Sequence, residues 1–314
     1  MYKEKKLLFI YNPNAGKGVL RTNLSSIIEV FMNSDYEVTV YATRRELEAV
    51  EIVQKIGKDY DRIVCSGGDG TMHEIIDGVM SLNREDRPEC SYIPTGTVND
   101  FAKGVYIPSN LTEAAKIAIN DNVNPIDIGI FNNKYFSYVA AFGAFTSVSY
   151  ETSQTVKNIF GKSAYVFDAM SKIPDIKPIH AIIETDNDKF ENDFLFGSIS
   201  NAISVGGFNI FKNSQVSLSD GYLEGAFLVN PTNVAEFQNM ITSAATLTAN
   251  NQIIGIHSRK FTITFTEPTA FTLDGEDGGV HTQVTATTAG KAIDFVWGKP
   301  EDPEAKRLVI SPGK

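Results

Sequence analysis

This sequence has few cysteines, fewer cations than acids and no long apolar run, and each shortage removes a class of protein. Two cysteines in 314 residues, Cys65 and Cys90, cannot build a disulfide framework and show no metal-ligand spacing. Both lie in strand-like apolar segments and read as buried, inert thiols. The longest nearly apolar stretch, residues 138–145, falls far short of the roughly 20 residues a membrane-spanning helix needs. No transmembrane segment is therefore expected. Lys3, Lys5 and Lys6 ahead of an apolar run at 7–11 loosely imitate a signal peptide, but the run is too short and a Gly-rich turn follows. It reads as the first buried strand of a cytoplasmic protein. Cations are outnumbered, with 28 Lys and Arg against 38 Asp and Glu and a formal charge of -10. That balance opposes nonspecific nucleic-acid binding and a broad electrostatic membrane patch, so any membrane contact must be local. Two common nucleotide fingerprints are missing as well. Gly161-Lys162-Ser163 has Val156 where a Walker loop needs glycine, and Gly68-x-Gly70 is followed by His73 where a dinucleotide loop needs its third glycine.

Apolar residues, by contrast, make up 42% of the chain, enough for two cores of ordinary domain size. Over the first 120 or so residues, short apolar runs alternate with segments of helical period. Segments 7–11, 36–41, 63–66 and 91–94 read as strands, the first and third continuous enough for a sheet covered on both faces. Leu20, Leu24, Ile27, Ile28 and Phe31 share one helical face, as do Leu47, Val50 and Val53, and Met72, Ile75, Ile76 and Val79. Asn110 with Glu113 three residues on announces a fourth helix. Repeated strand and helix predict an open parallel sheet with helices on both faces and ligands at the carboxyl ends of its strands. After about residue 125 the texture changes to short alternating segments at 135–141, 181–185, 194–199, 222–229, 261–265 and 293–297, interrupted by helical stretches at 156–170 and 234–245. The fold class expected is α/β: an N-terminal α/β domain over 1–125, onto which the tail 299–314 packs back, and a β-rich, sandwich-like domain over 126–298. With no repeat or long linker, the two are expected to pack directly and to hold the active site between them.

Three Gly-containing turns each follow a predicted strand: Asn12-Pro13-Asn14-Ala15-Gly16-Lys17-Gly18, then Ser66-Gly67-Gly68-Asp69-Gly70-Thr71, then Pro94-Thr95-Gly96-Thr97-Val98-Asn99-Asp100-Phe101. All three are expected at one sheet edge, where glycine lets the backbone approach a ligand and the amides opening a helix after the second turn face an anion. Each turn alone is also an ordinary loop. The Asp274-Gly275 pair ahead of Glu276 reads equally as a hairpin turn, and Ser219-Asp220-Gly221 has the same plain reading.

In combination and in this order, Asn12-Pro13, Gly16-Lys17-Gly18, Gly67 to Thr71, Pro94 to Thr97 with Asn99 to Ala102, and Leu273-Asp274-Gly275-Glu276 resemble the diacylglycerol kinase catalytic-domain family, and within it the soluble bacterial lipid kinases. The resemblance implies that Asn12, Pro13, Asn14, Ala15 and Gly16 contact ATP together with Gly67, Gly68, Gly70 and Thr71, with Thr43 and Thr95 adding contacts. Lys17, Thr97 and Asn99 join them as nucleotide-binding candidates. It implies Asp69 near the phosphates and magnesium, Asp274 and Glu276 at the reacting hydroxyl with Glu276 as general base, and a structural Mg2+ at Ser217, Asp220 and Tyr222, the outer two through carbonyls. The expected reaction takes diacylglycerol to phosphatidic acid at the inner membrane face, in a cytoplasmic, peripheral protein. An exposed strand edge in the β-rich domain suits a homodimer.

The chemistry agrees with those assignments. Phosphoryl transfer through a loose transition state asks for positioning and charge neutralisation, so glycine amides, magnesium and a lysine such as Lys17 are its natural parts. Magnesium takes hard oxygen ligands of the kind Asp69, Asp220 and Asp274 supply. Lys157, Lys162 and Lys172 stand either at lipid headgroups or on a solvated helix face. The competing readings are an NAD kinase, which shares the Gly-Gly-Asp-Gly turn but not the Thr95 to Asp100 pattern, a kinase of another lipid such as phosphatidylglycerol or a sphingoid base, and a catalytically silent lipid sensor.

Overall fold

The computed structural model describes residues 5–96, 99–143, 177–201, 217–233, 235–236, 239 and 252–299. The predicted helical stretch at 156–170, most of that at 234–245, the three lysines at 157, 162 and 172, and nearly all of the tail lie outside the described residues. The chain is mixed α/β with a strand-rich C-terminal region, and it divides into two compact units. One is the chain up to Asn124 with the segment from Asp294 onward; the other is Pro125–Ile293.

In the N-terminal unit, strands β1 (Lys5–Tyr11), β2 (Tyr36–Ala42), β3 (Arg62–Gly67) and β4 (Glu89–Pro94) pair in parallel in the order β2, β1, β3, β4. Phe295 adds a parallel partner beside Cys90 of β4. Leu7, Leu8, Phe9 and Ile10 are all fully buried, as a strand covered on both faces requires. Helix α1 (Val19–Met32) buries Leu20, Ile27 and Phe31, and α3 (Asp69–Met80) buries Met72, Ile75, Ile76 and Val79. Those are positions that helical periodicity selects. Helix α2 (Glu48–Ile56) begins one residue later than Leu47, which adopts φ 60° and is exposed; Glu74 of α3 instead accepts from the Ala49 amide at 3.2 Å. A five-residue helix α4 (Asp100–Gly104) precedes α5 (Leu111–Ala118), where the Glu113 amide donates to the Asn110 side chain at 3.0 Å. Cys65 and Cys90 lie in the sheet interior, where burial raises the Cys65 thiol well above its usual range and pushes that of Cys90 up to about 12. They are inert at neutral pH, as a place in this core demands.

The C-terminal unit is built from β5 (Val123–Phe131) from Pro125 onward, β6 (Lys134–Phe136), β7 (Val139–Gly143), β8 (Ile179–Glu184), β9 (Lys189–Ser200), β10 (Leu223–Val229), β11 (Ile253–Ser258), β12 (Phe261–Leu273) and β13 (Glu276–Val296) as far as Ile293, the last residues of β13 belonging to the N-terminal unit. Successive neighbours are antiparallel from β11 through β10 to β9. Strands β7 and β8 then lie end to end between β9 and β12, and β12 forms a long hairpin with β13. Phenylalanines dominate its core: Phe131 and Phe271 stand 4.8 Å apart between ring centroids, and Phe142 meets Phe265 at 5.0 Å. Each such ring contributes about 1.5–3 kcal/mol by burial. Gly197 in β9 makes room for them, since a Cβ there would lie 2.2 Å from the Phe142 ring.

Candidate active site

The three Gly-containing turns of the N-terminal unit converge at the carboxyl edge of its sheet. Tyr11, Gly67 and Pro94 end β1, β3 and β4, so each turn starts where its strand stops. The first turn is held by the Asn12 amide, which donates to the Ser66 carbonyl at 2.8 Å, and by the Asn12 side chain, which accepts from the Asn14 amide at 2.9 Å. Its Gly16 has φ 56° and approaches the third turn so closely that a Cβ would sit 1.7 Å from the Thr95 carbonyl oxygen. No other residue type fits there. Gly96 lies against the second turn so closely that a Cβ on it would sit 2.7 Å from the Gly68 Cα. The Gly67 carbonyl gathers the arrangement by accepting from the Thr95 amide at 2.9 Å, the Gly96 amide at 3.2 Å and the Tyr92 hydroxyl at 3.0 Å.

Asp69 opens α3, and its Oδ2 accepts from the Asn99 amide at 3.1 Å, which ties the second turn to the third. Asn99 is left-handed at φ 53°, and its side chain donates to the Gly96 carbonyl at 2.9 Å. The first-turn amides of α3 have no partner inside the helix and carry the positive end of its dipole. They face the region into which the glycines let a ligand's backbone-bound oxygens come close. The buried Thr95 hydroxyl has no hydrogen-bond partner among the described residues, an arrangement native proteins rarely leave without a ligand or solvent. Thr43, just past β2, is buried, and its amide donates to the Tyr11 carbonyl at 2.8 Å. Thr97 and the side chain of Lys17 lie outside the described residues.

In the C-terminal unit, Asp274 and Gly275 form the two-residue turn between β12 and β13, with φ of 53° and 93°, and Leu273 pairs with Glu276 across it. The hairpin reading is correct, and it places two acids differently. Asp274 is buried and accepts four hydrogen bonds, from the Ser137 amide at 2.6 Å and hydroxyl at 2.8 Å and from the Tyr138 and Val139 amides at 3.0 Å each. Glu276, two residues on, is exposed, and its carboxylate accepts no hydrogen bond from the described residues.

The diacylglycerol kinase catalytic domain model matches residues 6–131, which contain all three turns. A diacylglycerol kinase of Staphylococcus haemolyticus is 33% identical over 273 residues, covering 86% of this chain and 82% of that protein. The chain belongs to the diacylglycerol kinase family. A diacylglycerol kinase of Bacillus subtilis is 31% identical over 280 residues, covering 88% of this chain and 91% of its own. The fold is shared with a crystal structure of a diacylglycerol kinase from Bacillus anthracis, with TM-score 0.73, 24% identity and coverage of 95% and 98% of the two chains.

Within this family member, the segment holding Ser217, Asp220 and Tyr222 is a turn whose donors suit magnesium. Asp220 is exposed and accepts from the Tyr222 amide at 3.0 Å through Oδ1 alone, while the Ser217 and Tyr222 carbonyls accept no hydrogen bond from the described residues. Hard oxygens of this kind, one carboxylate and two carbonyls completed by water, are what the ion takes. The turn is anchored by Asp127, a residue the sequence reading passed over: its carboxylate accepts from the Gly221 and Lys291 amides, each at 2.6 Å. Two more were missed at the nucleotide edge. Arg21 donates to the Pro13 carbonyl at 3.2 Å and the Asn14 side chain at 3.0 Å. Tyr92 donates to the Gly67 carbonyl and lies 3.3 Å from the Asn99 side-chain oxygen. A basic residue in the first turn of the helix after a Gly-rich loop was a readable signal for Arg21; nothing local marks a tyrosine in a buried strand.

Proposed function

We propose that the protein transfers the γ-phosphate of ATP to the hydroxyl of diacylglycerol, forming phosphatidic acid as a peripheral enzyme at the inner membrane face. The observation that carries the nucleotide half is the convergence of Gly16, Gly68 and Gly96 beside the opening turn of α3. Three backbone segments bare of side chains, backed by a helix dipole, form a cradle for a polyphosphate. Among the described residues no helix is long and apolar enough to cross a membrane, which suits an enzyme that meets its lipid from one side.

In this reading residues 12–16, with Gly67, Gly68, Gly70, Thr71, Thr95, Thr97 and Asn99, bind the triphosphate, Thr43 contacts the nucleoside and Lys17 adds charge at the phosphates. Asp69, oriented by the Asn99 amide, holds the acidic end of that site. Glu276 accepts the proton of the lipid hydroxyl, which leaves late in a loose transition state and needs only a nearby carboxylate. Asp274 sets the turn that presents Glu276. Magnesium, when bound, neutralises phosphate-oxygen charge, and a second ion at Ser217, Asp220 and Tyr222 is structural. The C-terminal unit, with its antiparallel strands, receives the acyl chains, and the N-terminal unit receives the nucleotide.

An ATP turnover assay on micellar lipids with mass detection tests the assignment. Diacylglycerol is expected to give phosphatidic acid; phosphorylation of NAD with no lipid product would replace this reading by the NAD kinase one. For the structural ion, millimolar Mg2+ is expected to raise the melting temperature by a few degrees, as ligand binding to the folded state does. Asp220→Ala should lower the melting temperature and abolish that rise, and an unchanged Mg2+ response in the variant would remove Asp220 from the site.

A further inference from the structure

The turn proposed for magnesium ends at Tyr222, whose ring has two close neighbours, His257 and Arg259. It stacks on His257 with 4.3 Å between centroids and 8° between planes, and the Arg259 guanidinium lies 4.9 Å from the same ring. His257 in turn meets the buried Glu224 carboxylate, Nδ1 to Oε1 at 3.3 Å. The register explains the grouping. Leu223 pairs with Ser258 and Glu224 with His257 at the start of β10 and the end of β11. Side chains alternate along a strand, so Tyr222 and Glu224 share a face with His257 and Arg259.

This grouping is itself anchored. The Arg259 amide and the Ser258 hydroxyl both donate to Asp186 Oδ2 at 3.0 Å, which fixes the end of β11. On the other side, the Tyr222 amide is held by Asp220 and the Gly221 amide by Asp127. With the Tyr222 amide and ring held and the next residue, Leu223, paired with Ser258 across β10 and β11, the direction of the Tyr222 carbonyl between them is set before any ion arrives.

We infer that Tyr222, His257, Arg259 and Glu224 form a clamp that positions the Tyr222 carbonyl for magnesium. The inference rests on the proposed metal role of the Ser217, Asp220 and Tyr222 turn. His257, Arg259 and Glu224 are positioning residues that act through the Tyr222 ring and main chain. A metal site whose supporting contacts are preset loses less on ordering, and partners of this outer kind shape metal affinity nearly as much as the ligands themselves.

The test is a thermal-shift titration of the full chain with MgCl2, read as the Mg2+ concentration at half-maximal stabilisation. His257→Ala removes the stacking face, Tyr222→Leu keeps the carbonyl but removes the ring, and both are expected to raise that concentration about tenfold. His257→Phe restores a flat face and should stay within about threefold of wild type, on the same outer-contact argument. Arg259→Gln, at an exposed position, provides a variant whose folding is not at stake and should raise the concentration in the same direction. Half-saturation unchanged in His257→Ala, with only a Mg2+-independent fall in melting temperature, would overturn the clamp while leaving the metal reading intact. The same holds if His257→Phe responds like His257→Ala. A wild-type chain whose melting temperature ignores Mg2+ would overturn the metal reading and the clamp together.

Discussion

Replacing Glu276 by alanine is expected to cut phosphatidic acid formation by about 10²–10⁴-fold, the range a positioned general base contributes, while leaving the urea midpoint of the protein where it was. The second half of that expectation follows from the structure. Glu276 opens β13 at the exposed end of a hairpin, and its carboxylate holds nothing among the described residues in place. Surface substitutions of this kind usually change stability by no more than about 0.5 kcal/mol. The carboxylate is kept available by a backbone that does not need it. Glu276→Gln sharpens the experiment, because it preserves shape and polarity and removes only the capacity to take a proton. Equal losses in the two variants would place the effect in proton acceptance. Turnover within a few-fold of wild type in both would remove Glu276 from the chemistry and leave Asp69, the acid at the head of α3, as the next residue to test.

Much of the N-terminal unit can be read directly from the sequence, because its elements carry strong local signals. The periodic faces of α1 and α3 are the faces that are buried, and the Asn110 and Glu113 pair caps α5 as its spacing predicts. The convergence of the turns was also legible, since parallel strands joined by helices put all their carboxyl ends on one edge. What local reasoning missed depends on contacts distant in sequence. The segment expected as one strand over 135–141 is two, β6 and β7, broken at Ser137 and Tyr138, whose amides turn to Asp274 some 136 residues further along the chain. Strand β5 runs through Asn124, Pro125 and Asp127, residues that locally favour turns, and Asp127 is tolerated there because its carboxylate is spent on two distant amides. Strand β13 is long but rich in Gly and Thr with few large apolar residues, so its pattern is weak, and its pairing with β12, β5 and β4 defines it. Helix α4 is too short to show a period, and it starts because Asn99 takes a left-handed conformation stabilised within the third turn.

The same distant contacts separate the two acids of the Leu273 to Glu276 segment, which the sequence grouped together as catalytic candidates. Asp274→Ala is expected to destabilise the protein by about 3–5 kcal/mol, a large share of the 5–15 kcal/mol by which domains are usually stable. Its carboxylate satisfies three backbone amides and one hydroxyl in a buried setting, and alanine would leave all four donors without it. Asp274→Asn is not a rescue: one side-chain oxygen remains, but the other becomes an NH2 group aimed at N–H donors. Both variants should therefore unfold at lower urea and lose activity in step with the lost fold, whereas Glu276→Ala loses activity alone. An unchanged urea midpoint in Asp274→Ala, with turnover abolished, would move Asp274 from holding the hairpin to taking part in the transfer. If the midpoint falls, the role of Asp274 is to fix the turn at residues 137–139, so that the strand beginning at Glu276 leaves the hairpin in one direction only.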